Sequence, residues 1–181
     1  MDPATTNATL YEGTLGDTEV IVKAVQSSSK RQPLWRLMRE VYVQAAVSES
    51  GGCDNVQSLL GWGIYPTGGE AAGGDFLGSC IEGAVMLIVL EHAGTPLSAK
   101  INAGETIPPM VALKFMEQVT VGLKHLHDKK FFHRDLKLEN VALKGEGLAA
   151  EVRLIDFGSS TQVHQVSDSS RAYTQRSGSI S

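Results

Sequence analysis

The sequence predicts an α+β protein with a small, sheet-rich front and a helical back. Short runs rich in β-branched residues and one helical pattern fill the first half of the chain, and a long amphipathic pattern and a hairpin follow. With 181 residues, of which 42% are hydrophobic and 20% charged, the chain can bury a sizeable core. We therefore expect one globular unit, and the composition argues against wholesale disorder.

The charge balance and the apolar pattern argue against two kinds of partner. Lys and Arg total 16 against 20 Asp and Glu, a net charge of −4, which lacks the basic excess that binding to a nucleic-acid backbone needs. The longest apolar run, Ala84 to Leu90, is far shorter than the roughly 20 residues of a membrane-spanning helix, and the first residues lack a secretory signal. Cys53 and Cys80 indicate free thiols of a reducing compartment, so we expect a cytoplasmic protein without a membrane span.

The front of the chain predicts a β-hairpin followed by a helix. A β-rich run from Val20 to Val25 follows a turn at Gly16-Asp17, and Leu10-Tyr11 is a possible earlier strand. The helix opens at Pro33 and ends before Gly51-Gly52. Its apolar stripe has spacings of four, three and four residues and consists of Leu34, Met38, Val41 and Ala45.

Two further strands, a long helix and a second hairpin complete the predicted order. The strands extend from Val56 to Ile64 and from Ala84 to Leu90, with a glycine-rich loop between them. The helix is predicted from Pro109 to Asp128, where apolar and charged residues separate onto two faces. The strands of the second hairpin extend from Val141 to Lys144 and from Val152 to Ile155, on either side of a Gly-Glu-Gly turn.

Two motifs in the second half of the chain carry chemistry. Residues 133–140 read HRDLKLEN and fit the pattern H-R-D-L-x-x-x-N at every fixed position. Residues 156–158 read DFG and follow sixteen residues after Asn140. With these motifs in this order, the sequence resembles the protein kinase family. The resemblance implies a protein-kinase-like α+β fold, with a small β-rich N-lobe and, in this chain, an incomplete helical C-lobe.

The resemblance also implies a reaction, in which the γ-phosphoryl group of ATP moves to a hydroxyl of a protein substrate. Asp135 would accept the proton of that hydroxyl, and Lys137 would lie near the transferred phosphate. Asn140 and Asp156 would bind Mg²⁺, because carboxylate and amide oxygens suit this hard cation. A lysine two places after the aspartate is typical of serine/threonine kinases, so Ser and Thr hydroxyls are the expected acceptors.

Lys23 resembles the lysine of the kinase V-A-I-K strand, which holds the ATP phosphates and pairs with a glutamate of the next helix. Glu40, which lies 40 − 23 = 17 residues further on and inside the predicted helix, is the best candidate for that glutamate. Glu49, at the serine-rich end of the helix, is its competitor. Gln44 stands four residues after Glu40, where the family commonly packs an apolar side chain.

The segment LIVLEHAG resembles the last strand of the kinase small lobe as it enters the hinge to the large lobe. Leu90 would be the gatekeeper, and backbone groups of Glu91 and Ala93 would meet the adenine. The residues that the resemblance assigns to the ATP slot are Leu10, Ile21, Lys23, Leu90, Glu91, Ala93 and Ala142. Ile21 is bulkier than the usual alanine and Ala142 smaller than the usual leucine, so we expect the two changes to compensate.

The chain departs from the family at both ends. The glycine-rich loop should precede Leu10, but the expected glycine positions hold Pro3, Thr5 and Ala8, so the usual phosphate lid is missing or altered. The sequence given ends at Ser181, where the family continues with an A-P-E motif and further helices. The residues of the long helix that we expect to lose cover without those helices are Val111, Phe115, Val119 and Leu123.

The predicted organisation is one partial kinase domain over residues 1–181. Residues from about 8 to 92 form the N-lobe, residues 93–158 begin the C-lobe, and the serine-rich residues 159–181 form an activation segment. Thr174 and Ser177 are the expected regulatory phosphosites, and Arg134 is the expected partner of the phosphate. Two other functions stay open: a non-catalytic kinase-like module that binds a nucleotide or a protein, and a truncated gene product.

Overall fold

The computed structural model describes residues 8–26, 34–49, 52–65 and 84–162. Within these ranges, none of the helices combines the length and the apolar character that crossing a membrane requires. Sequence features that lie outside the described residues are Pro3, Thr5, Pro33, Cys80, Thr174 and Ser177.

The front of the molecule is a four-stranded antiparallel sheet that packs against one helix. Strands β1 (Ala8–Leu15) and β2 (Thr18–Gln26) form the predicted hairpin. Strands β3 (Leu59–Tyr65) and β4 (Val85–Glu91) complete the sheet in the order β1-β2-β4-β3. Helix α1 (Leu34–Ser48) shares a buried core with β2 and β4, formed by Val25, Leu37, Val41, Met86, Ile88 and Leu90.

The back of the molecule is a long helix that packs against a short hairpin. After the two-residue strand β5 (Thr95–Pro96) and the short helix α2 (Leu97–Asn102), helix α3 (Pro109–Asp128) has the bounds that the sequence predicts. Strands β7 (Val141–Lys144) and β8 (Glu151–Leu154) form the second predicted hairpin, and β5 pairs with the outer edge of β7. The α+β class predicted from the sequence is therefore confirmed.

The short elements were not predicted. Strands β6 (Phe131–Phe132) and β9 (Thr161–Gln162) pair with each other on either side of the two sequence motifs. Helix α2 begins directly after a proline and has six residues, which is less than two turns. An apolar repeat needs two turns or more to be recognised, so the sequence alone could not indicate this helix.

Strand β3 begins three residues later than predicted, because the residues before it bind the back of the molecule. Val56 forms an isolated parallel bridge with Leu154. The N–H of Gln57 donates to the carbonyl of Leu154 (3.0 Å), and the N–H of Leu154 donates to the carbonyl of Asn55 (2.9 Å). A Cβ at Gly122 of α3 would lie 2.7 Å from that Asn55 oxygen, so only glycine permits this approach. Residues 53–57 thereby join the front to the back.

Helix α3 buries the face that we expected to lose cover. Phe115 and Val119 are only 6% and 7% exposed, because they pack against the hairpin of β7 and β8. The expectation is therefore wrong for these residues. The apolar residues of α3 that are exposed lie elsewhere on the helix surface and are Met110, Leu113, Met116 and Val121.

Candidate active site

The first part of the site is an ion pair between the front sheet and its helix. Lys23 lies on β2, one of the two inner strands of the front sheet, and Glu40 lies in the middle of α1. The Nζ atom of Lys23 donates to Oε1 of Glu40 at 2.6 Å, and the two side chains are 12% and 10% exposed. The competing Glu49 lies one residue past the end of α1 and is exposed, so the structure brings Glu40 and not Glu49 to the lysine.

A second carboxylate approaches the same lysine. Oδ1 of Asp156 lies 3.6 Å from Nζ of Lys23 and also accepts the N–H of Gly158 at 3.3 Å. Burial by itself disfavours the charged ammonium, but Glu40 and Asp156 outweigh this effect, and the pKa of Lys23 is raised above its ordinary value. Asp156 has a φ of +61°, a backbone conformation that costs energy for any residue except glycine. The protein therefore tolerates strain where this carboxylate turns toward the lysine.

Residues 133–140, the first sequence motif, form a separate cluster around Asp135, and we call this segment the catalytic loop. Nζ of Lys137 lies 2.9 Å from Oδ2 of Asp135, and Nδ2 of Asn140 donates to the same oxygen (3.0 Å) and to the Asp135 carbonyl (2.8 Å). The hydrogen bond from Lys137 and its charge hold the pKa of Asp135 below its usual value, and the same bond raises the pKa of Lys137. Asp135 is therefore a carboxylate with a fixed orientation at neutral pH.

His133 and Phe157 support this cluster from inside the protein. The N–H of Asp135 donates to Nδ1 of His133 (3.4 Å), which leaves the proton on Nε2, and Nε2 donates to the carbonyl of Ile155 (3.0 Å). The His133 and Phe157 rings lie 5.2 Å apart, and these residues are 2% and 1% exposed. The imidazole thus ties the residue before the second motif to the catalytic loop.

Asn140 and Asp156 have the chemistry that a magnesium site needs. The amide nitrogen of Asn140 is bound to Asp135, which leaves its amide oxygen as the group available to a cation. The side chain of Asp156 is 48% exposed. The two motifs are joined, because the N–H of Ile155 donates to the carbonyl of Asn140 at 3.0 Å. One amide oxygen and one carboxylate suit Mg²⁺, which keeps several waters or substrate oxygens as its other ligands.

The residues assigned to the nucleotide slot lie on three strands of the front sheet (β1, β2 and β4), in the segment that follows β4, and on β7 of the back. Leu90, Ala93 and Ala142 are buried, with 7%, 4% and 0% of their surfaces exposed. Ile21 is half-buried and pairs with Leu90 across β2 and β4. Leu10 pairs with Lys23 and is 64% exposed. The compensation between Ile21 and Ala142 stays a prediction.

Helix α1 also contacts the last residue of the second motif and the chain after it, which the sequence did not indicate. Nη2 of Arg39 donates to the carbonyl of Gly158 at 3.1 Å, and the hydroxyl of Tyr42 donates to Oε1 of Gln162 at 3.2 Å. In the sequence both residues have the pattern of an exposed helix face, and no spacing identifies partners about 120 residues away. Arg134, the expected phosphate partner, is exposed with a φ of +66°.

Comparison with known proteins places this geometry in context. The family model described as the protein kinase domain matches residues 11–180. Mitogen-activated protein kinase kinase kinase 19 of Mus musculus is 38% identical over 84 residues, which are 46% of this chain and 6% of that protein. Serine/threonine-protein kinase Nek5 of Homo sapiens is 37% identical over 86 residues, which are 46% of this chain and 12% of that protein.

The likeness extends to solved structures. A chain in the crystal structure of the yeast RNA Pol II CTD kinase CTDK-1 complex superposes with a TM-score of 0.59 at 20% identity, over 86% of this chain and 44% of that one. At this identity the likeness concerns the fold, and it confirms the predicted kinase-like architecture of a β-rich front and a helical back. The matches span between 6% and 15% of the length of eight curated relatives.

Proposed function

Because the chain belongs to the protein kinase family, we propose that it transfers the γ-phosphoryl group of ATP to serine or threonine hydroxyls of a protein substrate. The observation that carries the proposal is the ammonium of Lys23, which lies 2.6 Å from Glu40 and 3.6 Å from Asp156. A strand, a helix and a loop each contribute one of these residues. A buried ammonium held in this way offers a fixed positive charge to the phosphates of a nucleotide.

The proposed reaction is an in-line displacement at phosphorus. The substrate hydroxyl oxygen forms a bond to the γ-phosphorus, the bond from that phosphorus to the bridging oxygen breaks, and ADP leaves with that oxygen. The Asp135 carboxylate accepts the hydroxyl proton, for which its lowered pKa keeps it ionised. Lys137, 2.9 Å from Asp135, lies close enough to stabilise the negative charge of the group in transfer.

Asn140 and Asp156 would hold Mg²⁺, which when bound neutralises charge on the nucleotide phosphates. Asp156 then has two tasks, because its Oδ1 also faces Lys23. Asn140 orients Asp135 through its amide nitrogen, and its amide oxygen would bind the cation, so one side chain would hold both the proton acceptor and the metal.

Serine/threonine specificity has weaker support than kinase membership. It is supported by Lys137, two residues after Asp135, and by relatives whose names describe serine/threonine kinases. Phosphoamino-acid analysis of a substrate mixture labelled by the chain tests it directly. Phosphoserine and phosphothreonine are expected, and phosphotyrosine as the main product would contradict the assignment.

The test of phosphoryl transfer is a comparison of Asp135→Asn with Asp128→Asn in an assay with Mg-ATP. Removing the proton acceptor is expected to lower kcat about 10²- to 10⁴-fold while ATP affinity stays within about twofold. Asp128 is exposed and paired with Lys124 on α3, so its variant should keep full activity. Equal activity in the two variants would overturn the role of Asp135.

A second candidate is a kinase-like module that binds a nucleotide without transferring phosphate. The observation that favours it is the absence of glycine at Pro3, Thr5 and Ala8, where the phosphate lid of the family would be. Thermal unfolding with Mg-ATP at about a hundred times its Kd should then show about 2.7 kcal/mol of stabilisation, lost in Asp156→Asn, while phosphoryl transfer is absent. Stabilisation together with transfer would favour the kinase.

A further inference from the structure

Three buried polar side chains lie between the front sheet and the back of the molecule and take no part in the proposed reaction. Gln44, Gln57 and Arg153 are 3%, 5% and 9% exposed. Burying an amide or a guanidinium costs free energy unless each polar group finds a partner. Gln44 also occupies the position where kinases commonly pack an apolar residue. The burial of these three side chains therefore needs a physical explanation.

The two glutamines are connected in series. Nε2 of Gln44, one turn after Glu40 on α1, donates to the backbone carbonyl of Gln57. Nε2 of Gln57 donates to the backbone carbonyl of Glu91 at 2.8 Å. Glu91 is the last residue of β4 and begins the segment 91–94, which we call the hinge. Helix α1 is thus joined to the hinge by two amide groups and one short piece of backbone.

Glu91 is also held from the opposite side. Nη2 of Arg153 on β8 lies 3.0 Å from Oε1 of Glu91, and Nη1 of Arg153 donates to Oε2 of Glu151 at 2.9 Å. Arg153 precedes Asp156 by three residues. The backbone carbonyl of Glu91 is therefore fixed toward α1, and its carboxylate is fixed toward the strand that leads to Asp156.

We propose that Gln44 and Gln57 are positioning residues for adenine recognition, which act by fixing the carbonyl of Glu91. The proposal rests on the proposed function and on the expectation, which follows from the family resemblance, that this carbonyl meets the adenine. A carbonyl oxygen has two lone pairs, so it can accept from Gln57 and from an adenine amino group together. Since Gln44 lies one turn from Glu40, the same connection ties the hinge to the helix that holds Lys23.

The choice of base provides a readout that a general packing role would not change. Adenine has an amino group where guanine has a carbonyl oxygen, so a carbonyl fixed at Glu91 favours ATP and repels GTP. Losing the donor of Gln57 frees this carbonyl to turn. The affinity for ATP should then fall while that for GTP does not, and the ratio of the two Kd values reports the change.

The experiment measures Kd for Mg-ATP and Mg-GTP by calorimetry in the full chain and three variants of similar side-chain volume. Gln57→Met and Gln44→Met each remove one donor of the connection. Gln118→Met is the matched control, because Gln118 also bonds backbone groups, those of Ala150 and Val152, and accepts from the side chain of Asn55, whereas its bonds do not involve the hinge. The Gln44→Met, Gln57→Met double variant is titrated in the same way, and thermal unfolding of all variants accompanies the titrations.

We expect the preference for ATP over GTP to fall about fivefold in Gln57→Met, which corresponds to about 1 kcal/mol, and about threefold in Gln44→Met. The double variant should equal Gln57→Met, because Gln44 acts through Gln57. Gln118→Met should lower the unfolding temperature and leave the preference unchanged. An equal loss of both nucleotides, or a loss of preference in Gln118→Met, would overturn the proposal.

A wild-type chain that binds neither nucleotide would instead contradict the proposed function and the adenine role with it. The unfolding data then still decide whether the connection exists. Coupled effects of Gln44→Met and Gln57→Met on the unfolding temperature would support it, and additive effects would refute it.

Discussion

Replacing Glu40 by glutamine tests the ion pair at the centre of the site. Removing one partner of a buried pair costs about 3–5 kcal/mol when the other charge is left without compensation. Here Asp156 remains 3.6 Å from Lys23, and the glutamine oxygen can still accept a hydrogen bond, so we expect a smaller loss of about 2 kcal/mol. For a chain of this size that loss lowers the unfolding temperature by about 4–8 °C.

The assay is thermal unfolding followed by circular dichroism, with Glu117→Gln as the matched control. Glu117 pairs with Lys114 at 3.1 Å, but the two side chains are 65% and 45% exposed. An exposed helix pair of this kind contributes about 0.2–0.5 kcal/mol and weakens with salt, so its loss should lower the unfolding temperature by only about 2 °C or less. Equal shifts in the two variants would refute the reasoning that burial makes the Lys23 pair strong.

The difference in stability between wild type and Glu40→Gln should depend on pH in a definite direction. The pKa of Lys23 is raised in the folded protein from an ordinary value of 10.5, so the folded state holds this proton more tightly than the unfolded state. The stability that the pair provides is therefore fully present below pH 10.5 and is lost as the pH rises through the higher folded-state pKa. The difference in the free energy of unfolding between wild type and Glu40→Gln should stay constant near neutral pH and disappear only in alkali.

Two further predictions concern the catalytic loop and the hinge. In Lys137→Met the pKa of Asp135 should rise toward its ordinary value of 3.8, so the acid limb of a kcat–pH profile should move to higher pH, and an unchanged limb would contradict the assigned cause. Gly94→Ala should destabilise the fold by about 3 kcal/mol or more, because its φ is +94° and a Cβ would lie 2.1 Å from the carbonyl oxygen of Leu143. Gly104→Ala, with a φ of +86° and open space around it, should cost only about 1–2 kcal/mol, and equal unfolding temperatures for the two variants would exclude the steric explanation.

The parts of the fold that the sequence predicted are those with strong local signals. Helix α3 has a proline at its first position and an apolar stripe over 20 residues, and its bounds agree with the prediction. The sequence predicts that β3 begins at Val56, but Val56 pairs instead with Leu154, nearly a hundred residues away, and the strand begins at Leu59. Local propensity carries no information about such a distant contact, and the tertiary pairing overrides the local preference.

In the candidate site, too, the residues with strong local signals were predicted and those that depend on distant contacts were not. Residues 133–140 were recognisable because their roles depend on fixed spacing within one loop, and the structure gathers Asp135, Lys137 and Asn140 within hydrogen-bond distance. Arg39 and Gln57 gave no signal, since each acts on a backbone carbonyl whose position only the folded chain decides. Every residue type has a backbone carbonyl, so a sequence pattern cannot identify which carbonyl accepts a given hydrogen bond.

The two ion pairs of the site, Lys23–Glu40 and Lys137–Asp135, differ in burial, and we expect them to have different roles in the reaction. Lys23 and Glu40 are almost fully enclosed, so their charges are weakly screened and their geometry is fixed before a nucleotide arrives. Lys137 and Asp135 are 48% and 38% exposed, so water screens their charges, and the Lys137 side chain can adjust to a substrate while Asn140 holds Asp135 in place. A buried pair can fix where the nucleotide lies, and an exposed lysine can follow the changing charge of the group in transfer. Replacing the buried pair should therefore affect stability and nucleotide binding together, whereas replacing the exposed pair should affect kcat with little effect on stability.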